Sequence, residues 1–153
     1  VEYLLRQFER SDLDDLWKID QLCFPAGIAY SKSEIQSFTR SPAGFTLIAQ
    51  GSSSVHGKGK IIGFIIASAK RRVGHIITID VLGEGRRNGI GTQLLAAAEG
   101  RLRELGCHQL RLETAVDNLT AISFYQRHRY EEIKRISNYY SNGMDALVLI
   151  KKL

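Results

Sequence analysis

Around Leu4, Arg6 and Phe8 the chain alternates like a short strand, and Ser11-Asp12-Leu13-Asp14 then offers an N-cap with acids in the first turn. The helix this predicts carries Leu13, Leu16, Trp17 and Ile19 on neighbouring faces. Phe24-Pro25-Ala26-Gly27 breaks the pattern into a loop, and Ser31-Lys32-Ser33-Glu34 has the reciprocal capping spacing that starts a second helix through about Phe38. Phe45 to Ala49 and Ile61 to Ile66 read as strands joined by a flexible hairpin connection, Gly51-Ser52-Ser53-Ser54 and Gly57-Lys58-Gly59. His75 to Val81 is a further strand. A glycine-rich turn follows from Gly83 to Gly91, and then a helix with Leu94, Leu95, Ala98, Leu102 and Leu105 at core spacing and Gly106 as its stop. Gln109 to Glu113 alternates again, Asp117-Asn118 caps a helix from Leu119 to about Arg127, and closing strands fit Glu131 to Ser137 and Met144 to Ile150. Several hairpins with only one or two crossovers predict an α/β fold: a mixed sheet with helices on its faces.

A length of 153 residues with 44% hydrophobic composition suits one domain, residues 1–153, and leaves no room for a second. The longest strongly apolar run, Ile61 to Ala69, is broken by Gly63 and Ser68 and falls well short of the roughly 20 residues of a membrane-spanning helix. The N-terminus lacks a basic patch followed by an apolar stretch, so the expectation is a chain without a secretory leader and outside the membrane. Cys23 and Cys107 stand 84 positions apart with no CxxC and no histidine at ligand spacing, which predicts free thiols, no metal site and a cytoplasmic location. The formal charge of +5 is uneven: residues 1–40 carry 5 basic and 7 acidic side chains, the remainder 16 and 9. That excess suits an anionic ligand. Because the basic residues come as pairs (Arg71-Arg72, Arg86-Arg87, Lys151-Lys152) rather than as a tract, nucleic acid is not favoured.

The strand, glycine-rich turn and helix around Gly89 and Gly91 form an anion-binding arrangement, since unpaired N–H groups of a helix start can accept phosphate oxygens. Arg86 and Arg87 add charge suited to a pyrophosphate. An ordinary strand-to-helix turn with solvated arginines is the plainer alternative. A P-loop is excluded, because no Gly-Lys-Ser or Gly-Lys-Thr occurs. A dinucleotide fingerprint fits poorly: Gly83, Gly85 and Gly89 have one residue too many for GxGxxG, although Glu113 imitates its ribose-binding acid.

The whole string Ile79-Asp80-Val81, then Arg86-Arg87-Asn88-Gly89-Ile90-Gly91-Thr92, with Leu94-Leu95 beyond, resembles the acetyl-CoA motif R/Q-x-x-G-x-G/A of the GNAT acyltransferases. Leu112-Glu113, Asn118, Ala121 and Tyr125 resemble the family's second half, L-E-x4-N-x2-A-x3-Y. Asn138-Tyr139-Tyr140 before a closing strand, and Phe24-Pro25 between the first helices, are similar to the ribosomal-protein-alanine N-acetyltransferases and their archaeal relatives. Two departures stand out: His128-Arg129-Tyr130 replaces the usual Leu-Gly-Phe, so that the end of the preceding helix is expected to differ, and Asp80 stands where a small residue is usual.

The resemblance implies a mostly antiparallel sheet of about 6–7 strands with a splay between strands 4 and 5. In such a fold the pantetheine arm of acetyl-CoA, the cosubstrate, bonds the backbone near Ile79, Asp80 and Val81, and the turn from Arg86 to Thr92 holds the pyrophosphate. Asn118 both caps its helix and bonds the cofactor. Glu113 is then the candidate base, against its plainer reading as a polar position of a half-buried strand alternating with Gln109 and Arg111. Tyr125 is the candidate acid, because a phenol of pKa about 10 can protonate a leaving thiolate. Phe24, Pro25, Tyr30, Tyr139 and Tyr140 would line the acceptor groove, against a plainer reading of the tyrosines as surface aromatics on loops, which carries equal weight for Tyr30. The acceptor implied is a protein N-terminal α-amine, ribosomal protein being the leading example, with a small-molecule amine and a noncatalytic CoA-binding module as rivals. The enzyme is expected as a monomer or homodimer. The four histidines, His56, His75, His108 and His128, are too scattered in the chain to nominate for any role.

Overall fold

The computed structural model describes residues 2–52 and 59–153, so the hairpin connection predicted across Ser53 to Lys58 lies outside the described residues. In chain order the elements are β1 (Tyr3–Gln7), α1 (Leu13–Cys23), α2 (Lys32–Arg40), β2 (Gly44–Gly51), β3 (Ile61–Lys70), β4 (Val73–Val81), α3 (Ile90–Glu104), β5 (Gln109–Ala115), α4 (Leu119–Arg127), β6 (Glu131–Ile136) and β7 (Ala146–Lys152). The strands form one sheet in the order β1-β2-β3-β4-β5-β7-β6. Every neighbouring pair is antiparallel except β4 with β5.

Local sequence explains most boundaries. Ser31 caps α2 through its hydroxyl and receives the Glu34 carboxylate in return, as the spacing predicts. The start of α1 differs from expectation. A 3-10 turn, Arg10–Asp12, precedes the helix, and Asp12 turns inward to take two hydrogen bonds from Arg6, 2.8 and 2.9 Å, instead of capping α1. Gly106, at φ 87°, ends α3 in the left-handed conformation that glycine tolerates.

Helices cover both faces. Leu16 and Ile19 of α1 and Ile35 of α2 pack on Ile48, Phe64 and Ile66 on one face. On the other, Leu94, Leu95, Ala98 and Leu102 of α3 and Tyr125 of α4 pack on Leu47, Ile65, Leu110 and Leu112. Each fully buried aliphatic side chain contributes about 1.5–3 kcal/mol, so these stripes dominate the attachment of the helices.

Two irregularities shape the centre of the sheet. β4 and β5 pair over only three positions, Val73 with Gln109, Gly74 with Leu110 and His75 with Arg111. Beyond them the strands part, leaving that edge of β4 without a strand partner. Second, the register of β3 with β4 shifts between Ile66 and Ala67, so that Ile77 is an extra residue in β4. The bulge reverses the side-chain alternation. Asp80 and Thr78 lie opposite Phe64 and Ile66 on the α1/α2 face, and His75 joins them there, while Ile76 points to the α3 face.

Candidate active site at the parting of β4 and β5

Glu113 lies on β5 two residues past the last rung with β4, on the α1/α2 face, because Leu110 and Leu112 take the other. Its Oε2 is 2.7 Å from His75 Nε2 and its Oε1 accepts from Arg111 Nε at 3.3 Å. Burial pushes the Glu113 carboxyl up, but the hydrogen bond and charge of His75, together with Arg111, outweigh this and hold it below the usual carboxylate range. Glu113 therefore stands as an ionised group gripping an imidazole. That imidazole is the partner of Glu113 that sequence reasoning did not nominate.

Tyr30, Tyr139 and Tyr140 gather around this carboxylate, which acts electrostatically on all three phenols. Tyr30 comes from the α1–α2 loop and packs edge-on against Phe38 with ring centres 5.0 Å apart. Tyr139 and Tyr140, from the β6–β7 loop, meet edge-on at 4.9 Å. The two loops also touch each other: Ser141 Oγ donates to the Gly27 carbonyl at 3.0 Å, and a Cβ on Gly27 would fall 2.6 Å from Asn142 Cβ. With φ at 87° as well, Gly27 is where the loops close on each other. Phe24 and Pro25 have local roles: Phe24 is the C-cap of α1, and the Pro25 carbonyl accepts from Ile28 and Ala29 to make the following turn.

Tyr125 approaches from the opposite face. It is 8% exposed and packs edge-on against Phe124 and Tyr130, yet it feels Asp80 and Tyr140 across the parted strands. Burial, then Asp80, then Tyr140 push its hydroxyl well above the ordinary phenol value, so it carries its proton throughout the working pH range.

On β4, Ile79 and Val81 rest on the α3 core while Asp80 turns to α1. The Val81 carbonyl accepts from Arg86 Nε at 3.1 Å and from the Cys23 thiol at 3.7 Å, so Arg86 is folded back onto the strand. Arg86, Arg87, Asn88 and Gly89 are exposed, and Asn88 Nδ2 ties the turn by donating to the Glu84 and Arg86 carbonyls. Arg87 and Gly89 have φ of 66° and 75°. Alternating left-handed residues turn successive N–H groups into one concavity, a shape that takes anionic oxygens. Gly89 is the N-cap of α3 with no side-chain cap, and a Cβ there would meet nothing within 4 Å, which leaves open space over the first N–H groups of the helix. Ile90 is a core side chain and can offer only its backbone. Thr92 is exposed, its Oγ1 3.1 Å from His128 Nε2. The Asn118 Oδ1 caps α4 by accepting from Ala121 N–H at 3.2 Å. The residues of the turn thus fit a pyrophosphate, and the unpaired edge of β4 fits an extended arm bearing amides.

The expectation that α4 would end differently is corrected. Arg129 adopts φ 70° in the place of a glycine, Arg129 N–H bonds the Gln126 carbonyl, and Tyr130 N–H bonds that of Tyr125, both at 3.0 Å. The helix stop is an ordinary Schellman motif built on a strained residue.

A family model described as "Acetyltransferase (GNAT) family" matches residues 13–130. Over 150 residues the chain is 33% identical to an uncharacterised N-acetyltransferase of Methanocaldococcus jannaschii, covering 97% of this chain and 91% of the relative. An N-alpha-acetyltransferase of Sulfurisphaera tokodaii is 28% identical over 165 residues, covering 99% and 94%. The crystal structure of Ard1 from Thermoplasma volcanium superposes with a TM-score of 0.88 at 25% identity, covering 100% and 99% of the two chains.

Proposed function

We propose that the chain, which belongs to the acetyltransferase (GNAT) family, acetylates the α-amine of protein N-termini with acetyl-CoA as donor. The observation that carries the choice of acceptor is the closure of the α1–α2 loop on the β6–β7 loop beside Glu113, where Tyr30, Tyr139 and Tyr140 line the approach. Such an approach suits the end of an extended chain, gripped by apolar surfaces with polar tips. The full-length relatedness to proteins named N-alpha-acetyltransferase supports the same reading. A ribosomal protein is one acceptor the class includes. Free thiols at Cys23 and Cys107 support placing the enzyme in the cytoplasm.

Acetyl-CoA supplies an acetyl thioester. The first turn of α3, Arg87 and an Arg86 released from Val81 hold its pyrophosphate, and the edge of β4 from Ile79 to Val81 aligns its amide-bearing arm. An α-amine has a pKa of about 8, against about 10.4 for lysine, so only modest help is needed to obtain the neutral nucleophile. His75, held by Glu113 through Nε2, takes the proton the amine loses. The amine nitrogen forms the amide as the C–S bond breaks, and CoA leaves as a thiolate that accepts a hydrogen bond from the Tyr125 hydroxyl, which burial keeps protonated. Glu113 is in this reading the partner of the base rather than the base alone.

The test is a CoA-release screen of short peptides with varied first residues, their N-blocked lysine-containing counterparts, and small amines. Turnover of free-terminus peptides is expected. Turnover of small amines alone defeats the reading, and preference for lysine with blocked termini shows that the site selects side chains. CoA binding with no turnover of any amine marks a noncatalytic module.

A further inference from the structure

Asp80, the acid in place of the usual small residue, has a second acid for a neighbour. Asp20 of α1 is 0% exposed and Asp80 is 1% exposed. Asp20 Oδ2 accepts from the Tyr30 N–H at 2.7 Å, and Asp80 Oδ1 accepts from Thr78 Oγ1 at 2.5 Å. The remaining oxygens, Asp20 Oδ1 and Asp80 Oδ2, are buried with no hydrogen-bond partner among the described residues, and each carboxyl lies within range of the other. Ionised carboxylates are acceptors only, so a proton held between the two orphaned oxygens is what satisfies both. Groups facing the pair are Cys23 on α1, Glu34 on α2, Tyr30 in the α1–α2 loop, Tyr125 on α4, and Arg86, which reaches Cys23. Burial favours the neutral form of both acids. Both acids are raised, Asp20 less because Asp80 and the Tyr30 N–H partly offset its burial and Asp80 further by its contact with Asp20, so the shared proton is assigned to Asp80.

We propose that protonated Asp80 and ionised Asp20 form a positioning pair for the acceptor: the shared proton ties α1 and the Tyr30 loop to the unpaired edge of β4, and its loss at alkaline pH sets two carboxylates against each other and loosens that wall. Tyr30 is reached directly, because its own N–H completes the Asp20 carboxylate. The kinetic side of the proposal rests on the peptide-acceptor reading above; its spectroscopic and exchange sides do not.

Asp80→Asn keeps a donor to Asp20 and an acceptor for Thr78 but cannot ionise, whereas Asp80→Val leaves the Asp20 charge buried without a donor. At pH 7 the peptide KM of Asp80→Val is expected to exceed that of Asp80→Asn about tenfold or more, with the acetyl-CoA KM of the two variants within about threefold of each other. Between pH 7 and 10 the peptide KM of the wild type should climb at least about fivefold relative to Asp80→Asn at the same pH, the effect of forcing like charges together. Independently of activity, the wild type at pH 7 should show the infrared C=O band of a protonated carboxyl that Asp80→Asn lacks, and amide exchange over residues 13–31 should quicken at alkaline pH in the wild type but not in Asp80→Asn at matched pH. Absence of that band, or superimposable exchange and KM profiles, overturns the proposal, and so does a peptide KM in Asp80→Val equal to that of Asp80→Asn. If no peptide is turned over but band and exchange behave as stated, the acceptor reading has failed and the pair stands. Should Asp80→Val not fold, the comparison with Asp80→Asn still decides.

Discussion

Glu113 and Asp80 stand on adjacent strands and point to the same face of the sheet, yet their ionisation is driven in opposite directions. For both, burial is the largest influence and favours the neutral acid. What separates them is depth and company. Glu113 meets His75 and Arg111 and is held below its ordinary value; Asp80, deeper and beside Asp20, is pushed well above its own. A buried carboxyl is therefore read from its depth and from the charge of its nearest partners together. In this site the difference yields a division of labour: one acid can serve proton transfer at neutral pH, and the other can hold a hydrogen bond that an ionised group could not donate.

The largest expected break in the comparison is Glu113→Gln. It keeps the shape of the side chain, removes the charge that orients and stabilises His75, and should lower kcat with peptide by roughly 100-fold or more while leaving acetyl-CoA affinity within about threefold. His75→Gln should cost a similar factor, and the double variant little beyond either single one, because the two act as a unit. Steady-state kinetics with a saturating donor check both. The pair also has a stability signature. Glu113 is held below its unfolded value, so its contribution is present above the ordinary carboxylate range and is lost as pH falls through the folded value. Acid denaturation of Glu113→Gln should accordingly begin from lower stability and show a shallower decline.

Tyr125→Phe comes next. If Tyr125 acts on the leaving thiolate as proposed, removing its hydroxyl while keeping the contacts with Phe124 and Tyr130 should reduce kcat by about 10- to 100-fold without moving either KM appreciably. A thioester whose leaving thiol is more acidic should recover part of the loss. Full activity of this variant would leave the leaving group to solvent.

The elements carrying Glu113 and Tyr125 were legible in the sequence, because they follow simple periodicity: α4 runs from Leu119 to Arg127 as its cap and pattern predict. His75 was not legible. Strict alternation along His75-Ile76-Ile77-Thr78-Ile79-Asp80 puts His75 on the face opposite Asp80, and only the extra residue at Ile77 brings both to the acceptor side. A bulge has no sequence signature here, since isoleucine fits either face. The Asp20–Asp80 contact was hidden for a related reason. Asp20 is an unremarkable polar position in a helix until the packing of α1 on β4 is known, 60 residues along the chain. The start of α1 misled in the same way, because Asp12 turns to Arg6 and to the Glu9 N–H that opens the preceding 3-10 turn rather than to the N–H groups of α1.

A smaller effect concerns stability at the other acid. Asp80 is held above its unfolded value, so the stability linked to its proton is full below the ordinary carboxylate range and declines as pH rises toward the folded value. Asp80→Asn lacks this term. Urea midpoints measured from pH 5 to 10 should therefore fall more steeply for the wild type than for Asp80→Asn, the reverse of the slope difference expected for Glu113→Gln at acid pH. Parallel curves would mean that the two acids are not opposed after all.

The smallest effect is a control that touches neither acid. Arg129 is exposed and occupies the left-handed position of the helix stop, where a side chain other than that of glycine is disfavoured by about 1–2 kcal/mol. Glycine relieves that strain but adds freedom to the unfolded chain, which takes back about 0.5–1 kcal/mol. Arg129→Gly should accordingly raise stability by about 0.5–1 kcal/mol, seen as a higher urea midpoint with an unchanged m-value. The hydrogen bonds of the motif come from backbone groups and the Tyr125 and Tyr130 rings remain in contact, so nothing that positions the Tyr125 hydroxyl is altered. Kinetic constants and both pH profiles should then match the wild type. If they shift along with the midpoint, global stability is leaking into the kinetic measurements, and the contrasts drawn from Glu113→Gln and Asp80→Asn must be corrected for it before either is assigned to ionisation.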